Sequence, residues 1–150
     1  MVIRKISTRT APSVLPLLEA QYRDHGIEMR GRPLLRALRT LLRGHGFVLA
    51  ALDPHPIGVA AVSWEWSLER AGLQAWLEEL YVVPERRGQG AGRGLLRKAT
   101  AAAKRSGCVS MELEVIRGHD RAARLYLREG FARLPRARYS RTLKPVAVSR

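Results

Sequence analysis

A glycine-rich turn at the junction of an apolar run and a helical pattern constrains this fold most. Residues 80–96 read LYVVPERRGQGAGRGLL, in which a predicted strand meets Pro84 and then the segment 87–92 at a helix start. Glycines let the backbone approach an anion closely, successive N–H groups can converge on it, and the helix N-terminus adds roughly half a positive charge. The turn therefore predicts a phosphate-binding site.

Two other kinds of phosphate-binding turn are excluded here. A Walker motif needs Lys followed by Ser or Thr after its last glycine, whereas Gly92 is followed by Arg93 and Gly94. A Rossmann fingerprint needs the spacing G-x-G-x-x-G after the first strand of a βαβ unit. Here Gly88, Gly90 and Gly92 are spaced by two, and four strands are predicted before them.

Hydrophobic periodicity predicts a mixed α/β or α+β fold around this turn, with a meander of three antiparallel strands. The length of 150 residues and the hydrophobic fraction of 46% suit one core, so a single domain over residues 1–150 is expected. The predicted elements are strand Val2–Ser7, helices over 12–23 and 33–44, strands Gly46–Leu52, Ile57–Trp66 and Leu73–Val83, helix Leu95–Ser106, strand Cys108–Ile116, helix Asp120–Glu129 and an extended stretch Phe131–Leu143.

Composition excludes several other classes of protein. No run approaches the ~18 uninterrupted apolar residues of a membrane span, and the start MVIRKISTRTAP lacks the apolar segment of a signal peptide. A cytoplasmic protein without a membrane partner is therefore expected. The single cysteine, Cys108, permits no internal disulfide and no cysteine-based zinc site. His25, His45 and His55 show no metal-ligand spacing, so no metal site is predicted.

The chain is strongly basic, with 27 Lys and Arg against 13 Asp and Glu and a net charge of +14. Residues 1–75 hold 10 bases and 6 acids, and residues 76–150 hold 17 and 7, so the halves carry +4 and +10. An anion-binding surface is therefore expected in the second half, because guanidinium groups bind phosphate bidentately. Nucleic-acid binding is an alternative, but helix-turn-helix, zinc-finger and aromatic-rich RNA signatures are absent, so no nucleic-acid partner is expected.

At the glycine turn the chain resembles the GNAT superfamily of N-acetyltransferases, which bind acetyl-CoA pyrophosphate in a turn of the form Q/R-x-x-G-x-G/A. Arg87, Gly90 and Gly92 fill that pattern. The resemblance implies the GNAT acyl-CoA N-acyltransferase fold, a central, mostly antiparallel sheet with helices on both faces. It also implies acetyl-CoA as co-substrate, with N–H groups over 88–93 on the pyrophosphate and the main chain of 80–82 along the pantetheine arm.

A second block, residues 119–131 with the sequence HDRAARLYLREGF, resembles the family's N-x-x-A-x-x-L-Y-x-x-x-G-F helix. By this resemblance Tyr126 is the general acid that protonates the departing CoA thiolate. His119 stands where the family usually has Asn, and its imidazole can still donate a hydrogen bond to the cofactor. The cofactor-binding residues implied by the two blocks are Leu80, Tyr81, Val82, Arg87, Gly88, Gln89, Gly90, Ala91, Gly92, Arg93 and His119.

The general base stays open between two glutamates. An amine nucleophile is mostly protonated at neutral pH, so a group must accept its proton. Glu79, on the strand before the turn, and Glu114, on the strand over 108–116, both match base positions within the superfamily. Consecutive strand side chains point to opposite faces, so only one of Glu78 and Glu79 is expected to reach the site. Glu78 and Glu112 are expected to pair with surface arginines.

The function implied by the resemblance is transfer of an acetyl group from acetyl-CoA to a primary amine of a small molecule or peptide, by direct attack and without a metal. Main-chain N–H near Val82 is expected to stabilise the oxyanion. Two alternatives stay open: an acyl-CoA-binding module without catalysis, and a basic nucleic-acid-binding domain. Homodimers are common in the family, which makes a homodimer a candidate assembly.

Overall fold

A five-stranded mixed sheet organises the first part of the chain in the computed structural model, which describes residues 1–145. Its strands are hydrogen-bonded in chain order, with antiparallel pairing from β1 to β4 and parallel pairing between β4 and β5. The strands are β1 (Val2–Lys5), β2 (Gly46–Leu52), β3 (Pro56–Ser67), β4 (Gly72–Val82) and β5 (Ser110–Glu112). The predicted meander is therefore confirmed.

The helices of the described residues follow the predicted order. Short 3-10 turns precede α1 and follow β4, and a wide π-type turn joins α2 to β2. The helices are α1 (Leu15–Asp24), α2 (Gly31–Thr40), α3 (Ala91–Arg105) and α4 (Asp120–Arg128). Internal contacts divide the described chain into two compact units, one made of residues 1–113 and one that begins at residue 114. The sheet and α1–α3 belong to the first unit, and α4 belongs to the second.

Helices cover both faces of the sheet in the first unit, as predicted. On one face, alternate strand residues such as Val48 and Val59 form a buried cluster with Leu18 of α1 and Leu38 of α2. Gly58, the residue before Val59 on β3, faces the opposite side of the sheet. A Cβ at Gly58 would lie 3.0 Å from the Cδ1 atom of Leu95 on α3. We call these the α1 face and the α3 face of the sheet.

Three predicted strands are shorter or missing. β1 ends at Lys5 rather than at Ser7. The strand expected over 108–116 is limited to β5, because only Ser110–Glu112 find ladder partners, on Gln74–Trp76 of β4. The extended stretch expected over 131–143 forms no strand in the described residues. No neighbouring strand offers this stretch a ladder in the described residues, and Pro135 has no N–H to contribute to one.

Helix α3 begins at Ala91, one turn earlier than the expected start at Leu95. The early turn accommodates Gly92 and Gly94, which disfavour a helix by propensity. A Cβ at Gly94 would lie 3.1 Å from the Cδ1 atom of Ile3, so the glycine lets this turn pack closely on β1. Tertiary packing here outweighs the local preference.

Candidate active site

Strand β4 carries a β-bulge immediately before the predicted pantetheine segment. Ala61 of β3 lies opposite Glu79, whereas the next residue, Val62, lies opposite Leu77. Glu78 is therefore the extra residue, with no partner of its own on β3. A bulge of this kind leaves the ladder locally disrupted and re-aims the side chains beside it.

The bulge brings Glu78 and Glu79 to the same face of the sheet, so the expectation that they point to opposite faces is wrong. Glu79 lies opposite Ala61, which packs in the cluster of the α1 face. Ser63 shares that face, two residues along β3, and its hydroxyl donates to Glu78 over 2.6 Å. Strict alternation fails because an inserted residue interrupts the pleat. Among the described residues no arginine forms the ion pair that was expected for Glu78.

A tyrosine of α1 contacts the second carboxylate of this pair. The Tyr22 hydroxyl donates a 2.6 Å hydrogen bond to Oε1 of Glu79. Burial, reinforced by the charges of Glu79 and Glu78, raises the pKa of Tyr22 far above its usual range. Tyr22 therefore stays protonated and acts as a hydrogen-bond donor throughout the working range of pH.

Strand β4 extends well beyond its parallel neighbour. The ladder with β5 covers only Gln74–Trp76, while β4 continues to Val82. Past this ladder, those backbone N–H and C=O groups over 80–82 that point away from β3 lie on a strand edge that β5 does not pair. Such an edge can accept an extended ligand as an added strand, which is the arrangement expected for a pantetheine arm.

The glycine turn follows directly from this edge. Gly88 and Gly90 have φ values of +81° and +90°, in the left-handed region that favours glycine. A Cβ at Gly90 would meet no atom within 4 Å, so the backbone angle rather than space in the protein requires this glycine. Gly90 is the N-cap of α3, and its carbonyl accepts from the N–H of Gly94 over 2.9 Å. N–H groups of a first helical turn lack intrahelical acceptors, so the turn suits an anion.

Arg87, the first residue of the glycine motif, is held against α1 and β4. Its Nε–H donates to the carbonyl of Val82 over 2.8 Å, and its guanidinium carbon lies 5.4 Å from the ring centroid of Tyr81. The same guanidinium is 3.8 Å from a carboxylate oxygen of Asp24, at the end of α1. The contacts of Asp24 with Arg87 and of Tyr22 with Glu79 were not predicted from the sequence, since no local pattern marks residues so far apart in the chain.

The second unit holds the other predicted site residues, Glu114, His119 and Tyr126. Glu114 is 56% exposed on its side chain and lies 3.2 Å from Arg138. His119 is the N-cap residue of α4, without a side-chain capping hydrogen bond. The ring of Tyr126 contacts that of Phe131 edge-on, with centroids 5.8 Å apart.

The end of α4 explains why the motif closes with Gly-Phe. The N–H of Phe131 donates to the carbonyl of Tyr126 over 3.0 Å, and the N–H of Gly130 donates to that of Leu127 over 3.2 Å. With Gly130 at a φ of +90°, these bonds form a Schellman motif. The contact between the Tyr126 and Phe131 rings is the hydrophobic contact that accompanies the motif. Gly130 therefore ends the helix as predicted.

Other polar residues of the first unit have structural partners. Arg70 pairs with Glu112 over 3.1 Å, which confirms the predicted pairing of Glu112 with an arginine. Burial raises the pKa of the Cys108 thiol, which disfavours the reactive thiolate.

Across residues 1–145 no group of three His, Cys, Asp or Glu side chains is placed to hold a metal ion. Within the same residues no helix is long and apolar enough to span a membrane.

Comparisons with known proteins identify the family. The model of the acetyltransferase (GNAT) family matches residues 11–131. Thialysine N-epsilon-acetyltransferase of Mus musculus is 36% identical over 55 residues, which cover 37% of this chain. That match spans 32% of the mouse protein, so this chain is matched to about a third of the length of its curated relative.

Solved structures of similar fold align with nearly the whole of this chain. A structure from Arthrobacter sp. FB24, assigned as an acetyltransferase, is 30% identical with a TM-score of 0.81, covering 95% of this chain and 96% of that one. An integron cassette protein from the mobile metagenome of Cole Harbour Salt Marsh reaches a TM-score of 0.84 at 22% identity, covering 96% and 91%. Because the family match covers most of the chain and includes the glycine turn, the chain belongs to the GNAT acetyltransferase family.

Proposed function

We propose that this protein transfers an acetyl group from acetyl-CoA to a primary amine. One observation carries the proposal: the edge of β4 past the β5 ladder leads directly into the glycine turn at the start of α3. This places a strand edge for an extended arm next to a turn for a pyrophosphate. The two features together match the shape of CoA better than that of a compact phosphate ligand.

The chain's own residues would divide the binding of acetyl-CoA between them. Backbone N–H groups over 88–93 would hold the pyrophosphate, and the main chain over 80–82 would pair with the pantetheine arm. The N–H near Val82 would stabilise the oxyanion that forms when the amine attacks the thioester carbon. His119 is proposed as a further hydrogen-bond donor. The thioester supplies the activated acetyl group, so the protein needs to position it and to move protons.

Glu79 is the better candidate for the general base. Its carboxylate lies beside the bulge, on the α1 face, and accepts a hydrogen bond from the Tyr22 hydroxyl. Glu114 is exposed, and its carboxylate is already paired with the guanidinium of Arg138. We assign the amine proton to Glu79, and we assign protonation of the CoA thiolate to Tyr126.

The acceptor is proposed to be a primary amine of a small molecule or peptide. The mouse relative is named for a lysine analogue, which makes thialysine and lysine the first acceptors to try. A panel should add polyamines, aminoglycosides and peptide N-termini, because the match covers little of the mouse protein. A homodimer stays a candidate assembly.

Calorimetry with acetyl-CoA and thiol release across the amine panel test the proposal. Cys108 is the only thiol of the chain, so a Cys108→Ser protein removes the background of the thiol assay. Binding with turnover on at least one amine is expected. Binding without turnover on any amine would favour an acyl-CoA-binding module, and binding of nucleic acid but not of acetyl-CoA would favour the basic nucleic-acid-binding alternative.

A further inference from the structure

We propose that Tyr22 is a positioning residue for the reaction, and that its hydroxyl keeps the Glu79 carboxylate in the ionised form that takes the amine proton. The inference rests on the proposed function, because it assigns Tyr22 a role through Glu79. Tyr22 and Glu79 are 57 residues apart in the chain, and no feature of the family motifs quoted above includes Tyr22.

The bulge creates the need for such a residue. It places two adjacent carboxylates, Glu78 and Glu79, on one face of the sheet. Like charges held side by side repel each other, so each carboxylate needs a donor that stabilises its charged form. A protonated Glu79 could not accept the proton of the amine.

Each carboxylate of the pair has its own hydroxyl donor. Tyr22 donates to Glu79 and Ser63 donates to Glu78, each over 2.6 Å. A hydrogen bond to the charged form of a carboxyl group favours that form. The two hydroxyl groups therefore offset the repulsion within the pair, one for each carboxylate.

The position of Tyr22 is well determined by the backbone around it. It lies in the last turn of α1, and its carbonyl accepts hydrogen bonds from the N–H of His25 over 3.1 Å and from that of Ile27 over 2.8 Å. The ring packs against the cluster of the α1 face. The hydroxyl thus reaches Glu79 from a helix end that cannot easily rotate away.

The charged and titratable groups around Glu79 have opposite effects on the ionisation of its carboxyl group. Glu78 on its own strand opposes ionisation, and Tyr22 on α1 favours it. Asp24 at the end of α1 is balanced by Arg87, 3.8 Å away, which is also bonded to the carbonyl of Val82. During transfer the amine proton passes to the Glu79 carboxylate while Tyr22 keeps its own proton, since its pKa is raised by burial and by the two carboxylates.

The test compares Tyr22→Phe with Ser63→Ala, which removes the matching hydroxyl from Glu78. Carbon-13 NMR follows the glutamate carboxyl carbons, with the Glu79 signal assigned by its loss in Glu79→Gln. The titration midpoint of Glu79 is expected to rise by about one pH unit in Tyr22→Phe. The acidic limb of the kcat/KM profile should move with it, while the rate at high pH and the KM for acetyl-CoA stay close to wild type.

The outcomes separate positioning from a merely structural role. A structural role would lower the rate equally at every pH, and that result would overturn the proposal, as would an unmoved Glu79 titration. Ser63→Ala should leave the acidic limb nearly in place; a shift of the limb equal to that in Tyr22→Phe would also overturn the proposal. If the titration midpoint of Glu79 shifts in Tyr22→Phe but the acidic limb of the kcat/KM profile does not, Tyr22 has no role in the reaction. If the wild-type protein is inactive on every amine, the proposed function itself is contradicted.

Discussion

The Nε–H of Arg87 donates a 2.8 Å hydrogen bond to the carbonyl of Val82, so the first residue of the glycine turn is bonded to the last residue of β4. This bond joins the segment expected to hold the pantetheine arm to the turn expected to hold the pyrophosphate. The contacts of the same guanidinium with Tyr81 and Asp24 brace it further.

Replacing Arg87 by Ala is expected to weaken acetyl-CoA binding by about 1–2 kcal/mol, the range for a charged hydrogen bond at a half-exposed site. Calorimetry at two salt concentrations measures the loss, and affinity should fall with salt if arginines meet the CoA phosphates. Arg93→Ala should have an effect of similar size, because Arg93 lies in the first turn of α3.

Two arginines of α2 provide the control for this series. Arg36 and Arg39 line an open cleft of about 540 Å³, together with Arg32 of the same helix and Arg43 of the turn that follows it. Arg36→Ala and Arg39→Ala should leave acetyl-CoA binding unchanged. A loss as large as that in Arg87→Ala would show that the CoA phosphates bind elsewhere than the glycine turn.

Gly92→Glu is expected to abolish acetyl-CoA binding, because it adds bulk and a negative charge to a turn that must accept phosphate. Ala101→Glu is the matched control, since it adds the same charge to α3 at an exposed position more than two turns away. Circular dichroism should remain native in both proteins. Unchanged affinity in Gly92→Glu would remove the assignment of the cofactor to this turn.

Glu79→Gln should lower turnover by roughly 10²-fold, the usual scale for general acid–base catalysis, and flatten the acidic limb of the pH–rate profile. Glu114→Gln should change turnover little, given its exposure and its pairing with Arg138. Both variants should bind acetyl-CoA normally in calorimetry. The reverse pattern, with only Glu114→Gln impaired, would transfer the role of base to Glu114.

Tyr126→Phe should keep acetyl-CoA binding but slow turnover, since the thiolate would leave without its proton donor. The loss is expected to be modest, because a thiol with a reference pKa of ~8.5 is already a tolerable leaving group. The ring contact with Phe131 and the end of α4 should survive, since neither needs the hydroxyl. The test measures turnover and acetyl-CoA affinity of Tyr126→Phe with one confirmed acceptor. Turnover equal to that of the wild type would rule out Tyr126 as the general acid.

Short-range signals made several features predictable from the sequence alone. β2 spans Gly46–Leu52 as expected, because an apolar run lies between a glycine stop and a proline-rich turn. The glycine turn and the Gly130 helix end were also predicted, since only glycine readily takes the left-handed angles that both require. These features depend on neighbours within a few positions, so their physical cause is present in the local sequence.

Tertiary structure alone decided the chemistry around Glu79. The bulge at Glu78 depends on how β3 and β4 align over their whole lengths. No feature of residues 78–80 predicts an inserted residue at this point of the strand. The hydrogen bond from Tyr22 depends on how α1 packs across the sheet. Helix and strand periodicity report which face a residue prefers, but the strand register and the partner across a packed interface follow from the sum of many distant contacts. That is why Glu79 and Glu114 could both be named as candidate bases from the family resemblance, while only the fold placed the Glu78 carboxylate and the Tyr22 hydroxyl beside Glu79.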